Sequence, residues 1–272
     1  MSLVSTDWLE KNINDVIILD ASWHMPNSKR NAYEEFNKEH INNAIFFDID
    51  NFSNKKTELS HMLPNKKEWE KIVSNLGISN KDRIIVYDNS DVISSCRCWY
   101  TFIFFGHKPN LISVLNGGLS KWKKENKKTT NKKTIITNQQ YQSQKKIHLV
   151  KTKKEIDDNI LNKEFKIVDA RSKNRFLGLE KESRPGLRSG SIENSYCLPF
   201  IDLINKEDKT FRDKEFIKKK FKDIGVVDEN NIVFSCGSGI TASVLALAYS
   251  MINDKYSPTV YDGSWAEYGM IK

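Results

Sequence analysis

Ile232-Val233-Phe234-Ser235-Cys236-Gly237-Ser238-Gly239-Ile240-Thr241-Ala242-Ser243-Val244-Leu245-Ala246-Leu247-Ala248-Tyr249-Ser250-Met251-Ile252 is the stretch on which the fold turns. Ile232 to Phe234 is a short apolar run of the kind found in strands buried on both faces. Thr241 to Ile252 is apolar and long enough for a buried helix. The two are joined by Cys236-Gly237-Ser238-Gly239-Ile240. A strand that passes through a tight loop into a helix predicts a parallel sheet with helices on its faces. In open α/β sheets, sites lie beyond the carboxyl ends of the strands, where Cys236 stands. Small loop residues before a helix turn several backbone N–H groups inward and make an anion cradle. Cysteines at helix N-termini are held more readily as thiolates.

Outward from this stretch, the chain repeats itself. Val16-Ile17-Ile18-Leu19-Asp20-Ala21 returns at 165–170, and His40-Ile41-Asn42-Asn43-Ala44 returns at 191–195. Arg83-Ile84-Ile85-Val86-Tyr87-Asp88 returns at 231–236, and Val114-Leu115-Asn116-Gly117-Gly118 returns at 260–264. The offsets are 149, 151, 148 and 146 residues. One order at nearly one offset means two copies of one domain; the period is far too long for a solenoid. We place the copies at 1–125 and 148–272. Residues 126–147, rich in Lys, Asn, Thr and Gln, read as a linker. In the first copy Asp88 takes the place of Cys236. A carboxylate cannot serve as the thiol nucleophile, so this copy is expected to be catalytically silent.

Composition narrows the class. At 39% hydrophobic and 29% charged residues, the chain is globular rather than disordered. No apolar run is long enough for a membrane span. The opening Met1-Ser2-Leu3-Val4-Ser5 reads as no secretory signal. Cys96, Cys98, Cys197 and Cys236 are too few for a disulfide scaffold, and free thiols in a cytoplasmic setting are expected. The net charge of +8 sits in lysine-rich runs without interleaved aromatic residues, so we expect solvated faces and no nucleic-acid partner.

Three chemistries use a cysteine or anion loop of this shape. A Cys-x5-Arg phosphatase needs an arginine where Ala242 stands, and a phosphate-binding P-loop needs a lysine the loop lacks. The third is sulfur transfer, in which a thiolate takes up a sulfur atom as a persulfide. The whole chain, from about residue 3 onward, resembles the two-domain sulfurtransferases of the rhodanese superfamily. Cys236-Gly237-Ser238-Gly239-Ile240-Thr241 is similar to the active-site loop of the 3-mercaptopyruvate sulfurtransferases. Further resemblance lies in Phe46-Phe47-Asp48-Ile49-Asp50, His61-Met62-Leu63-Pro64, Leu115-Asn116-Gly117-Gly118 with Trp122, and Tyr261-Asp262-Gly263-Ser264-Trp265. Thiosulfate-using rhodaneses carry basic residues directly after the cysteine, where Gly237 and Ser238 stand here. The sequence departs from the family at Ser191, where a histidine is usual, and at Asn42-Asn43.

The resemblance implies two tandem rhodanese-like domains and an enzyme that moves sulfur from 3-mercaptopyruvate through a persulfide on Cys236 to a thiol or cyanide acceptor, releasing pyruvate. Thioredoxin is one such thiol partner; no cofactor and no metal are implied. Arg175 and Arg184 match the family's substrate arginines, whose planar forks suit a carboxylate. Arg188 is a nearby spare. Ser238, His61 and Asp50 match a proton relay, in which the imidazole moves a proton and the carboxylate orients it. Gly237, Gly239, Ile240 and Thr241 complete the donor-binding loop. Because His61 and Asp50 belong to the first copy and Ser238 to the second, the site is expected in an interdomain cleft. The alternatives are a thiosulfate sulfurtransferase and a persulfide-carrier module; a pure carrier has no use for a carboxylate clamp. Cys96 and Cys98 read as core packing, Cys197 as a buried strand residue, and His40, His107 and His148 fit no metal spacing.

Overall fold

The computed structural model describes residues 2–226 and 229–271. The chain packs as two compact units. Unit 1 comprises Met1–Lys55, Leu63–Lys146 and Asn205–Phe211; unit 2 comprises Lys56–Met62, Ile147–Ile204 and Arg212–Lys272. Each unit therefore contains a seven-residue segment from the other half of the chain.

Unit 1 contains β1 (Leu3–Val4), α1 (Thr6–Lys11), β2 (Ile17–Asp20), α2 (Ala32–Lys38), β3 (His40–Ile41), β4 (Ala44–Phe46), α3 (Lys66–Asn75), β5 (Ile84–Tyr87), α4 (Ser95–Phe104), β6 (Ile112–Leu115), α5 (Gly118–Lys124) and β7 (Thr129–Thr130). Its main sheet has the order β1-β6-β5-β2-β4, with every pairing parallel. Unit 2 contains β8 (Val150–Lys151), α6 (Lys153–Asn162), β9 (Lys166–Asp169), α7 (Lys173–Phe176), β10 (Tyr196–Cys197), α8 (Lys214–Asp223), β11 (Ile232–Ser235), α9 (Ile240–Ser250), β12 (Val260–Tyr261) and α10 (Ser264–Tyr268). Its sheet, β10-β9-β11-β12-β8, is also parallel throughout and repeats the order of unit 1.

The same core is built twice. Leu9, Ile18, Ile85 and Leu115 pack together in unit 1. Ile156, Ile167, Val233 and Tyr261, at the matching positions, pack together in unit 2. The central strands β5 and β11 are buried along their whole length, as a parallel sheet covered on both faces requires. The helices begin where the chemistry of caps directs. Asn65 with Glu68 and Thr152 with Glu155 form reciprocal capping boxes at the starts of α3 and α6.

Residues 126–146, within the stretch expected to be a linker, pack as part of unit 1. Thr129–Thr130 pairs antiparallel with His40–Ile41. Thr134 Oγ1 donates to the Ala44 carbonyl at 2.7 Å, and the Tyr141 N–H donates to Ser74 Oγ at 3.1 Å. Tyr141 is buried. A polar sequence without hydrophobic period hides this packing, because backbone groups, short hydroxyl side chains and a buried tyrosine provide it. Among the described residues, no helix is long and apolar enough to cross a membrane.

Candidate active site

In unit 2, β11 ends at Ser235 and α9 starts at Ile240, so the loop between them is four residues long. Cys236 is 2% exposed. Gly239 sits at φ 82°, a left-handed conformation that glycine adopts without steric cost, and this turns the chain from strand to helix. The turn brings the Gly239 N–H to 3.1 Å from Cys236 Sγ, to which it donates. The other side of the loop is held by the start of α10. The Cys236 N–H donates to Ser264 Oγ at 3.2 Å, the Trp265 N–H to the Cys236 carbonyl at 2.9 Å, and the Ala266 N–H to the Gly237 carbonyl at 2.9 Å. Ile240 is buried and Thr241 half-buried at the first turn of α9.

His61 reaches this loop from the segment Lys56–Met62. Its Nδ1 lies 2.8 Å from Ser238 Oγ, and both side chains are buried. The expected cleft is not what joins these two residues: the segment that carries His61 is itself part of unit 2. His61 has φ 64°, a left-handed conformation that costs a non-glycine residue about 1–2 kcal/mol. The surrounding structure holds it there with its ring on the serine. Asp50 lies in unit 1, where its carboxylate oxygens accept from Trp23 Nε1 at 3.1 Å each.

Arg184 also meets the loop. Its Nη1 donates to the Gly237 carbonyl at 3.3 Å and its Nη2 to Ser238 Oγ at 3.2 Å. Arg175 Nη2 lies where a Cβ on Gly237 would be 3.5 Å away, so a side chain at 237 would rest against the guanidinium. The spare, Arg188, is elsewhere occupied: its guanidinium stacks 4.6 Å from the Trp265 ring centre and 5.4 Å from that of Tyr268.

Sequence reasoning missed Glu182 and Arg171. The Glu182 side chain is buried and receives Arg171 Nη1 at 2.8 Å, Arg175 Nε at 3.2 Å and Arg175 Nη2 at 2.5 Å. Arg171 grips Asp169 through Nε and Nη2 and lies 4.4 Å from the Trp265 ring centre. The run Leu179-Glu180-Lys181-Glu182-Ser183-Arg184 reads as a solvated charged loop, and nothing in it singles out one acid as buried. Asp169 at the end of β9, matched by Asp20 at the end of β2, was the available signal.

Unit 1 builds the corresponding place from other residues. Asp88, in the position of Cys236, is buried, and its carboxylate accepts from the N–H groups of Ser90 at 2.8 Å and Ser95 at 3.0 Å. Burial pushes its pKa up. Ser90 stands in the position of Ser238. Lys209, from the segment Asn205–Phe211, has φ 57° and puts its Nζ 3.3 Å from the Ser90 carbonyl and 2.8 Å from Asp91 Oδ1. The cradle is thus filled by the protein's own carboxylate. The cavity beside it, lined by Asp88, Ser95, Gly118, Lys209 and Phe211 among others, measures about 10 Å³, room for one water. The other cysteines take packing positions. Cys96 and Cys98 are fully buried in α4, and burial pushes both thiols up. Cys197 on β10 is half-buried, its thiol pushed up to about 11 by burial.

Comparison with known proteins agrees with this architecture. The rhodanese-like domain family matches residues 5–125 and again 152–270. The chain is 36% identical to thiosulfate/3-mercaptopyruvate sulfurtransferase 1, mitochondrial, of Arabidopsis thaliana, over 98% of this chain and 75% of that protein. It is 33% identical to 3-mercaptopyruvate sulfurtransferase of Homo sapiens, over 99% and 92%. It is 35% identical to thiosulfate sulfurtransferase of Mus musculus, over 98% and 91%. Among solved structures, SseA from Escherichia coli, described as having the rhodanese fold of 3-mercaptopyruvate sulfotransferases, superposes with a TM-score of 0.87. It is 28% identical, over 98% of this chain and 100% of that one. Identity of this order does not separate the two donors, but the duplicated parallel sheet, the full-length matches and the strand–cysteine–helix loop agree: the chain belongs to the two-domain rhodanese sulfurtransferases.

Proposed function

We propose that the protein is a 3-mercaptopyruvate sulfurtransferase whose nucleophile is Cys236. The observation that carries this reading is the convergence on one four-residue loop of a cysteine, a Ser238–His61 pair and Arg184. The carboxylate of the donor binds Arg184 and Arg175, whose planar forks match it. Cys236 thiolate attacks the donor sulfur. A sulfur–sulfur bond forms, the carbon–sulfur bond breaks, and its electron pair leaves as the enolate of pyruvate. That enolate must gain a proton. Ser238 can give its O–H proton to the enolate carbon while taking one from His61 Nδ1, 2.8 Å away, so the imidazole is the proton source and the serine the relay. The Gly239 N–H holds the sulfur. An acceptor thiol, a small molecule or thioredoxin, then attacks the outer sulfur and returns Cys236 to the thiolate. The place in unit 1 that matches Cys236 carries no sulfur, because Asp88 is a carboxylate and fills its own cradle.

The doubly charged thiosulfate is the competing donor. The loop offers it no lysine or arginine at 237 or 238, and this favours mercaptopyruvate. Turnover of both donors measured side by side tests the reading; equal or higher kcat/KM with thiosulfate would overturn it. Cys236→Ser should abolish turnover and remove the mass gain of one sulfur, about 32 Da, seen after donor treatment. Extra sulfur on Cys96, Cys98 or Cys197 would move the nucleophile.

A further inference from the structure

Arg175 does not come to the loop as a bare cation. Two of its nitrogens donate to Glu182, whose side chain is 2% exposed. The second guanidinium on Glu182, that of Arg171, is already matched by Asp169 through contacts of 2.6 and 2.9 Å. Asp169, Arg171, Glu182 and Arg175 thus form one chain of two carboxylates and two guanidiniums, with no net charge. Its last member lies against Gly237, directly after the nucleophile. A guanidinium has five N–H donors, so Arg175 can hold a carboxylate with those that Glu182 does not use. What it lacks is surplus positive charge.

We propose that Glu182 is a specificity-determining residue: by pairing with Arg175 beside the cysteine loop, it fits the donor site to a sulfur donor with one negative charge and disfavours donors with two. The inference rests on the reading that Arg175 faces the donor. The physical reason is that charge interactions strengthen as water is excluded. A neutral pair can still give directed hydrogen bonds to a monoanion, whereas a dianion needs a second net cation that the pair does not supply. The smallness of residue 237 belongs to the same device, since it leaves room for a guanidinium brought from α7.

Glu182→Gln keeps the shape and one acceptor oxygen while removing the charge. The ratio of kcat/KM for thiosulfate to that for 3-mercaptopyruvate should rise about tenfold or more, through a fall in the KM for thiosulfate. A ratio within twofold of the parent, or an equal loss with both donors, would mean that Glu182 only holds the fold, and would overturn the proposal. A readout without turnover separates this from the donor assignment: protection of Cys236 from alkylation by sulfate, a dianion, against pyruvate, a monoanion. Sulfate should protect the Gln variant at about tenfold lower concentration than the parent, with pyruvate little changed, even if mercaptopyruvate proves not to be the donor. Unchanged sulfate protection would overturn the proposal. Should the Gln variant fail to fold, Glu182→Asp keeps the charge on a shorter arm. It should raise both KM values while keeping the donor ratio within twofold, and a tenfold change in that ratio would refute the charge argument.

Discussion

Ser238 Oγ meets two partners that do different work, and substitution should separate them. In the proposed mechanism His61, 2.8 Å away, moves a proton, and Arg184, at 3.2 Å, holds charge and the loop. Ser238→Ala and His61→Ala should lower kcat by roughly 10²–10⁴ with small changes in KM, the pattern of a lost proton-transfer group. Arg184→Ala should lose roughly 2–4 kcal/mol, about 30- to 1000-fold in kcat/KM, with much of it in KM. Arg184 also bonds the Gly237 carbonyl, so part of its loss should fall on kcat as the loop loosens. Steady-state kinetics with 3-mercaptopyruvate check both; a KM effect for His61→Ala alone would remove it from the relay. These residues were legible for unequal reasons. Cys236, Gly237 and Gly239 announce themselves, because two glycines between a strand and an apolar helix need a cause. His61 and Arg184 carry no local sign of their role and came only through resemblance to a family. Glu182 was illegible, since burial of one acid among charged neighbours such as Glu180, Lys181 and Arg184 is decided by Arg171 and Arg175, which the fold brings to it.

The ends of strands β2 and β9 are matching places in the two copies, and they are built differently. Asp169 closes β9 with Arg171 two residues on; Asp20 closes β2 with Ser22 in that position. Asp20 Oδ1 accepts from the Ser22 N–H at 2.9 Å and Ser22 Oγ at 2.5 Å, but no guanidinium stands where Arg171 does. Burial, with the Asp88 charge nearby, raises its pKa to about 6. A folded-state value above the unfolded one means that the carboxyl is more comfortable protonated in the fold. Its contribution to stability is therefore full below the ordinary carboxylate value and is lost as pH rises through about 6. A rise of this size corresponds to something on the order of 3 kcal/mol. Asp20→Asn keeps an Oδ1 acceptor and removes the titration. Its stability, followed by denaturant midpoints between pH 4 and 8, should fall less across that range than that of the parent; parallel curves would show that Asp20 does not titrate there. The sequence showed the strands, because Ile17-Ile18-Leu19 and Ile167-Val168 are apolar and short. It did not show that the buried ion pair is built in one copy and not at the matching place of the other, which depends on the contacts of residue 22 against those of residue 171.

At the scale of the molecule, the two copies were readable from four matches at nearly one offset, and the parallel sheets from the strand–helix alternation. The exchange of Lys56–Met62 and Asn205–Phe211 was not. Both segments are short, polar and without period, and the choice of unit is settled by a few anchors, such as the Phe211 N–H on Asn116 Oδ1 at 2.9 Å and His61 on Ser238. The two segments lie 149 residues apart, so each copy gives up the same piece of itself. A fragment beginning at Ile147 lacks His61 and retains Asn205–Phe211 without the unit it packs in. It should turn over at least about 100-fold more slowly than the full chain and melt less cooperatively; full activity in such a fragment would show that the segment from the first half is dispensable. The exchange also governs the order in which the protein can mature during its own synthesis. Domains ordinarily fold one after another as they emerge, at about 5–20 residues per second. Here the amino-terminal unit is still missing a piece when Lys146 has been made, and must wait several seconds, through more than half of the second copy, for Phe211. The carboxy-terminal unit in turn draws on a segment made long before Cys236. Neither unit can therefore be completed from its own half of the chain, and the Cys236 loop is among the last parts to be made.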